Sequence, residues 1–176
     1  ADVAMYRAKE SGKNNYQFYV AEMTAKVSER LTLENDLRYA LEHAEFSLVY
    51  QPIADCRSGR IIGMEALLRW NHPERGMISP AQFIPLAEET GYIIPIGEWV
   101  LRTACAQCRH WQKSGFPSLY VAVNLSSRQF HQKDLPMSIY KILQEIDFNP
   151  ATLDLELTEG EVMQQAEASI NTLRDL

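Results

Sequence analysis

Between Gly63 and Trp70 the chain reads GMEALLRW, an apolar run interrupted by one carboxylate and one guanidinium. In a strand, alternate residues share a face, so Glu65, Leu67 and Arg69 are predicted to point the same way. The same logic extends along the chain. Ala1, Ala4, Met5 and Ala8 form a helical stripe that Gly12 ends, and Tyr16–Val20 reads as a short strand. Residues 21–45 carry Leu33, Leu37, Ala40 and Leu41 at helical spacing, in one amphipathic helix or two, with Thr32 a candidate cap. Phe46–Ile53 and Arg60–Arg69 are predicted strands, and the short turn Asp55–Gly59 can join them only as an antiparallel pair. That pairing brings Gln51 near the strand of Glu65.

Downstream, Ser79-Pro80 opens a helix that Gly91 stops. A longer helix runs from about Ile96 to Lys113, with Trp99, Val100, Thr103, Ala104 and Trp111 toward the core. A buried strand, Leu119–Leu125, precedes a helix over Leu135–Ile146. A second buried strand spans Leu153–Leu157, and a last helix begins after Glu159. Helical crossovers between apolar strands indicate a parallel sheet. Polar residues gather where the strands end: Glu65 with Arg69, Asn124 with Ser126, Glu156 with Glu159. In parallel α/β barrels that rim carries the chemistry.

Composition narrows the classes. The chain has 176 residues, 46% hydrophobic and 23% charged, within the range of one globular domain or one domain plus a fragment. A net charge of -6 argues against a DNA or RNA polymer as partner but leaves room for a small phosphate ligand. No apolar run approaches a membrane span and the N-terminus is not signal-like, so the expected location is cytoplasmic, with any anchor in the parent lying upstream. Cys105 and Cys108 form a C-x-x-C inside a helical pattern without a second ligand pair, and read as buried apolar residues. The four histidines show no ligand spacing.

What remains is an all-oxygen set, Glu65, Asn124 and Glu156, which suits Mg²⁺ or Mn²⁺ over zinc or copper. Two of its members have a plainer reading. Glu65 and Arg69 would make an intrastrand ion pair, and Asn124 a turn residue bonding its own backbone. Glu156 is the exception, since a carboxylate between Leu155 and Leu157 in a buried strand needs a partner or a metal.

Five motifs in order now carry a resemblance: YQPI (Tyr50–Ile53), EALLRW (Glu65–Trp70), FIPLAEETG (Phe83–Gly91), VNLSSRQF (Val123–Phe130) and ELTEG (Glu156–Gly160). From about Leu31 to Leu176 the chain resembles an EAL domain, the cyclic-di-GMP phosphodiesterase family. The segment ADVAMYRAKESGKNNYQFY similarly resembles the last helix and strand of a GGDEF (diguanylate cyclase) domain. The implied layout is 1–20 as a GGDEF-type remnant, 21–45 as a linker and leading helix, and 46–176 as the first half of an EAL domain. The implied fold is a TIM-like (βα)8 barrel with one antiparallel strand, about half of it present here, since a complete barrel needs roughly 250 residues.

The resemblance also implies roles. Glu65, Asn124 and Glu156 would bind a pair of Mg²⁺ or Mn²⁺ ions, and Arg69 would contact a ligand phosphate. Gln51 and Leu68 would sit against the ligand, and Glu159 would hold the loop that completes the metal site. The parent would hydrolyse cyclic di-GMP to linear pGpG, and would self-associate through the EAL domain. A noncatalytic cyclic-di-GMP receptor or regulatory scaffold is the alternative. The family's DDFG motif and later Lys, Glu and Gln residues would lie beyond Leu176.

A half barrel leaves strand edges unpaired and apolar faces open, which recruits other chains. The isolated 176-residue chain is therefore expected to be inactive and to self-associate. Light scattering and a hydrolysis assay with Mn²⁺ check this, and an active monomer would show the missing strands to be dispensable.

Overall fold

The computed structural model describes residues 21–157, with side chains from Ser28 onward. The expected N-terminal helix and strand, Glu159 and the final helix lie outside the described residues. By contacts the chain divides into two compact units, Ala1–Tyr39 and Ala40–Leu176. In the first, α1 (Ala21–Ala40) is one uninterrupted helix that runs to the boundary. Thr32 is not a cap: it sits mid-helix, where its hydroxyl donates to the Ser28 carbonyl at 2.9 Å and so needs no helix end to satisfy it.

The second unit is built on one sheet. Strands β1 (Phe46–Ala54) and β2 (Ile61–His72) pair antiparallel, with Gln51 opposite Glu65, Val49 opposite Leu67 and Ser47 opposite Arg69. Strand β3 (Gly76–Ile78) returns along the far end of β2. It was not expected from the sequence, and it carries β2 three residues past Arg69, to His72. The turn between them is fixed by His72, whose Nδ1 accepts from the Glu74 and Arg75 amides at 3.1 and 3.2 Å. Strand β4 (Tyr120–Asn124) lies parallel to β2, and β5 (Leu153–Glu156) parallel to β4, giving the order β1-β2-β4-β5.

Helices α2 (Pro80–Thr90) and α3 (Ile93–Lys113) follow β3, and a one-turn helix α4 (Ser127–Phe130) follows β4. Helix α5 (Leu135–Ile146) packs on α3 and leads through a 3-10 turn to β5. Helix α3 begins three residues before the expected start because Pro95 falls in its first turn, where no N–H is needed. It lies across β1, β2 and β4, burying Ile96, Val100, Leu101, Ala104, Cys105 and Cys108. Trp99, Thr103 and Trp111, expected in the core, are only half-buried. They flank the buried stripe: Trp99 reaches the Phe46 ring at 6.2 Å, and Trp111 meets Tyr50 edge-on at 4.8 Å.

All of this covers one face of the sheet, the face of Ala66, Leu68 and Trp70. Trp70 is fully buried, packs against Phe83 at 5.5 Å and Phe46 at 5.9 Å, and donates its indole N–H to Glu45 Oε2 at 2.8 Å. The opposite face, which holds Gln51, Val49 and Glu65, is open among the described residues; Val49 is 43% exposed. Among the described residues no helix is long and apolar enough to cross a membrane.

The cysteines divide in the same way. Cys105 and Cys108 are fully buried, and burial pushes their thiols up to about 12 and about 11. Cys56 is exposed. A thiol reagent at mildly alkaline pH is expected to label only Cys56 in the folded protein and all three cysteines after denaturation. Rapid labelling of Cys105 or Cys108 in the native state would contradict the packing of α3.

Candidate active site at the strand ends

The open face brings the carboxylates together through register alone. Glu65 of β2 stands level with Ala122 of β4, so Asn124 lies one pleat further along the same face. From there its side-chain Nδ2 donates to Glu65 Oε1 at 2.8 Å. Asn124 is thus not a turn residue bonding its own backbone. With the amide nitrogen oriented toward the carboxylate, Oδ1 is the atom of that side chain that could meet a cation.

One strand over, Asn124 is level with Glu156, and the Leu125 amide donates to the Glu156 carbonyl at 2.9 Å. Glu156 was expected in a buried strand, and the structure corrects this. In β5, Leu153 and Leu155 are half-buried while Asp154 and Glu156 are exposed. The reason is that β5, the last strand among the described residues, pairs on one side only. Its carboxyl nevertheless titrates above the ordinary 4.5, first through partial burial and then through the negative charges of Glu65 and Asp154. Asp154 was not singled out from the sequence. Its two-residue offset from Glu156 in LDLEL was the available signal.

Gln51 completes the row opposite Glu65, exposed on β1. Arg69 lies on the same face, half-buried, and its Nη1 donates to the Leu68 carbonyl at 2.8 Å. Leu68 itself falls on the helix-packed face. It is level with Leu48 and reaches ligand space by another route. Pairing of β2 with β4 ends at Ala66 and Val123, and beyond that point the strands diverge. A cavity of about 280 Å³ fills the wedge, lined by Leu68, Arg69, Asn124 and Ser126, by Ile84 and Glu88 of α2, and by Ile96 and Gly97 of α3. No sequence pattern announced it, because it arises from divergence of two strands.

The donor set fits a hard divalent cation. It is all oxygen, and the mutual repulsion of Glu65 and Glu156 is the field that a cation would relieve. It supplies only part of a coordination sphere. Among the described residues no three His, Cys, Asp or Glu side chains gather in a metal-binding group.

Comparison with known proteins identifies the family. The EAL domain family model matches residues 34–176. The bifunctional diguanylate cyclase/cyclic di-GMP phosphodiesterase MucR of Pseudomonas aeruginosa is 47% identical over 176 residues, which is 100% of this chain and 26% of MucR. The cyclic di-GMP phosphodiesterase PdeR of Escherichia coli is 39% identical over 174 residues, covering 99% of this chain and 26% of PdeR. The chain therefore spans about a quarter of these relatives. The solved structure of the MucR phosphodiesterase in complex with c-di-GMP superposes with a TM-score of 0.79 at 47% identity, over 81% of this chain and 58% of that one.

The raised Glu156 carboxyl has a definite sign. A folded-state value above the unfolded one means that its stabilising contribution is complete below the ordinary 4.5 and is lost as pH rises through the raised value. In ion-free protein, NMR titration of the Glu156 carboxyl is expected to give a midpoint above 4.5. Glu65→Gln should move it downward without abolishing the shift, since the burial stays. An unchanged midpoint in Glu65→Gln would show that the two carboxylates do not share one field.

Proposed function

The chain belongs to the EAL domain family, and from that membership we propose that its parent protein is a phosphodiesterase that hydrolyses cyclic di-GMP to linear pGpG. The observation that carries the proposal is the Asn124 to Glu65 hydrogen bond, with Glu156 level with Asn124 on the next strand. It gathers three oxygen-bearing side chains at one strand-end rim, with Arg69 two pleats beyond Glu65 on the same face. The MucR phosphodiesterase structure with c-di-GMP supports the same substrate.

In this reading Glu65, Asn124 and Glu156 hold Mg²⁺ or Mn²⁺, and a divalent ion pair there would supply Lewis acidity toward the phosphodiester and a lowered pKa for water. Asn124 keeps one Glu65 oxygen oriented. Arg69 presents planar paired donors to a phosphate, a geometry that a lysine does not reproduce. Leu68 offers an apolar wall to the ligand from inside the wedge cavity, and Gln51 a polar contact opposite Glu65. Glu159, outside the described residues, keeps its proposed role in holding the loop beside the site. The proposed layout is a GGDEF-type tail over 1–20, a linker over 21–45 and the EAL half over 46–176.

In the full-length parent, Glu65→Ala is expected to abolish hydrolysis while the fold survives, because Glu65 is half-buried on the face opposite the helix-packed core. Arg69→Ala should instead raise KM about tenfold or more with a smaller effect on kcat, as expected when a ground-state phosphate contact is lost. Hydrolysis of cyclic di-GMP with Mg²⁺ or Mn²⁺, together with circular dichroism, measures both. Wild-type turnover by a folded Glu65→Ala protein would overturn the assignment, and binding without hydrolysis by the wild type would favour the receptor alternative.

A further inference from the structure

The wedge cavity has two walls that the sheet does not join. One is the end of β4 with Asn124 and Ser126; the other is α2 with Ile84 and Glu88. β-Ladder pairing between β2 and β4 has already stopped at Ala66 and Val123. The link between the walls comes from the α4 turn. Arg128 Nη1 donates to the carbonyls of Glu88 and, at 3.1 Å, of Glu89. These belong to the last turn of α2, where the Glu88 carbonyl also accepts from the Gly91 amide at 3.3 Å. The guanidinium lies over the helix stop: a Cβ built on Gly91, at φ +87, would stand 3.1 Å from Arg128 Nη2.

The next residue anchors the turn on the other side. Gln129 is 6% exposed, and its amide rests against Gly97 of α3, where an added Cβ would come within 1.8 Å of Nε2. Its Oε1 accepts from the Ser126 amide at 3.1 Å and the Ser126 hydroxyl at 2.9 Å, and its own amide donates back to Ser126 Oγ at 3.3 Å. The turn is therefore rigid from Ser126 to Gln129. Asn124, two residues before it, carries the bond to Glu65. Arg128 is exposed, so its contribution lies in the connection it makes rather than in burial.

We propose that Arg128 is a positioning residue that clamps the end of the Asn124 strand to the C-terminus of α2 and thereby sets the width of the cavity beside Arg69. The proposal rests on the phosphodiesterase reading for its catalytic consequence, while the clamp itself is a property of the chain. A guanidinium can serve two adjacent carbonyls, which a single ammonium point charge does less well. Removing it frees one wall from the other without touching a metal-ligand candidate. The consequence falls on substrate binding and not on the chemical step.

The test uses the full-length parent with Arg128→Ala, Arg128→Lys and Arg128→Gln. Arg128→Ala is expected to raise KM for cyclic di-GMP about tenfold at nearly unchanged kcat, the signature of lost ground-state binding, with unchanged Mn²⁺ affinity. Arg128→Lys should recover part of that loss and Arg128→Gln less. Hydrogen exchange should quicken together at Gly91–Ile94 and at Leu125–Phe130 in Arg128→Ala. A wild-type KM in Arg128→Ala, or a loss confined to kcat with weakened Mn²⁺ binding, overturns the positioning role. Unchanged exchange in both segments overturns the clamp. Should the wild-type parent fail to hydrolyse cyclic di-GMP, the phosphodiesterase reading falls, and the exchange arm still decides the clamp; the Lys and Gln variants decide it if Arg128→Ala does not fold.

Discussion

The hydrogen bond from Asn124 to Glu65 at 2.8 Å exists because β2 and β4 run parallel in a single register. A slip of one residue would send Asn124 to the helix-packed face and break the contact. That register is held from behind by the apolar side of the same strands. Ala66, Val121 and Val123 are buried against the helical layer, so a one-residue slip would expose them. The polar site thus depends on hydrophobic burial one pleat away.

Strand β2 shows the division most plainly. Its even positions end in Trp70, buried among Phe46 and Phe83 and hydrogen-bonded to the Glu45 carboxylate. A hydrogen bond to a charged group contributes about 1.5–3 kcal/mol, so Glu45 fixes the indole as well as satisfying it. Its odd positions carry Glu65 and Arg69 outward. Because the packing residues and the chemical residues are on opposite sides, the acidic face can hold Glu65, Asp154 and Glu156 in mutual repulsion without disturbing the core. The raised Glu156 carboxyl reflects partial burial first and that repulsion second.

Divergence of β2 from β4 past Ala66 then opens the cavity beside Arg69. Strand β2 continues because β1 and β3 still pair with it, while β4 turns into the capping box of Ser126 and Gln129. The cavity is the gap between these two continuations, and the α4 turn braces it through Arg128 and Gln129. Site, cavity and brace are therefore consequences of one strand outlasting its parallel neighbour.

Much of this was legible in the sequence. The two-residue period of GMEALLRW assigned Glu65 and Arg69 to one face, and the short Asp55–Gly59 turn dictated the antiparallel pairing that sets Gln51 opposite Glu65. Pro80 and Gly91 bounded α2 as local backbone chemistry requires, and Ser79 stands at its N-cap without a side-chain capping bond. These are properties of neighbouring residues, which a sequence carries directly. The sequence misjudged what depends on distant partners. Glu156 was read as buried from its leucine neighbours, whereas exposure is set by how many strands flank β5. Strand β3 was missed because three residues have no period of their own and become a strand only by pairing with Trp70–His72. The bond between Asn124 and Glu65, the wedge cavity and the seating of Arg128 over Gly91 join residues far apart in the chain. Only the packing of the sheet against its helices could bring them together.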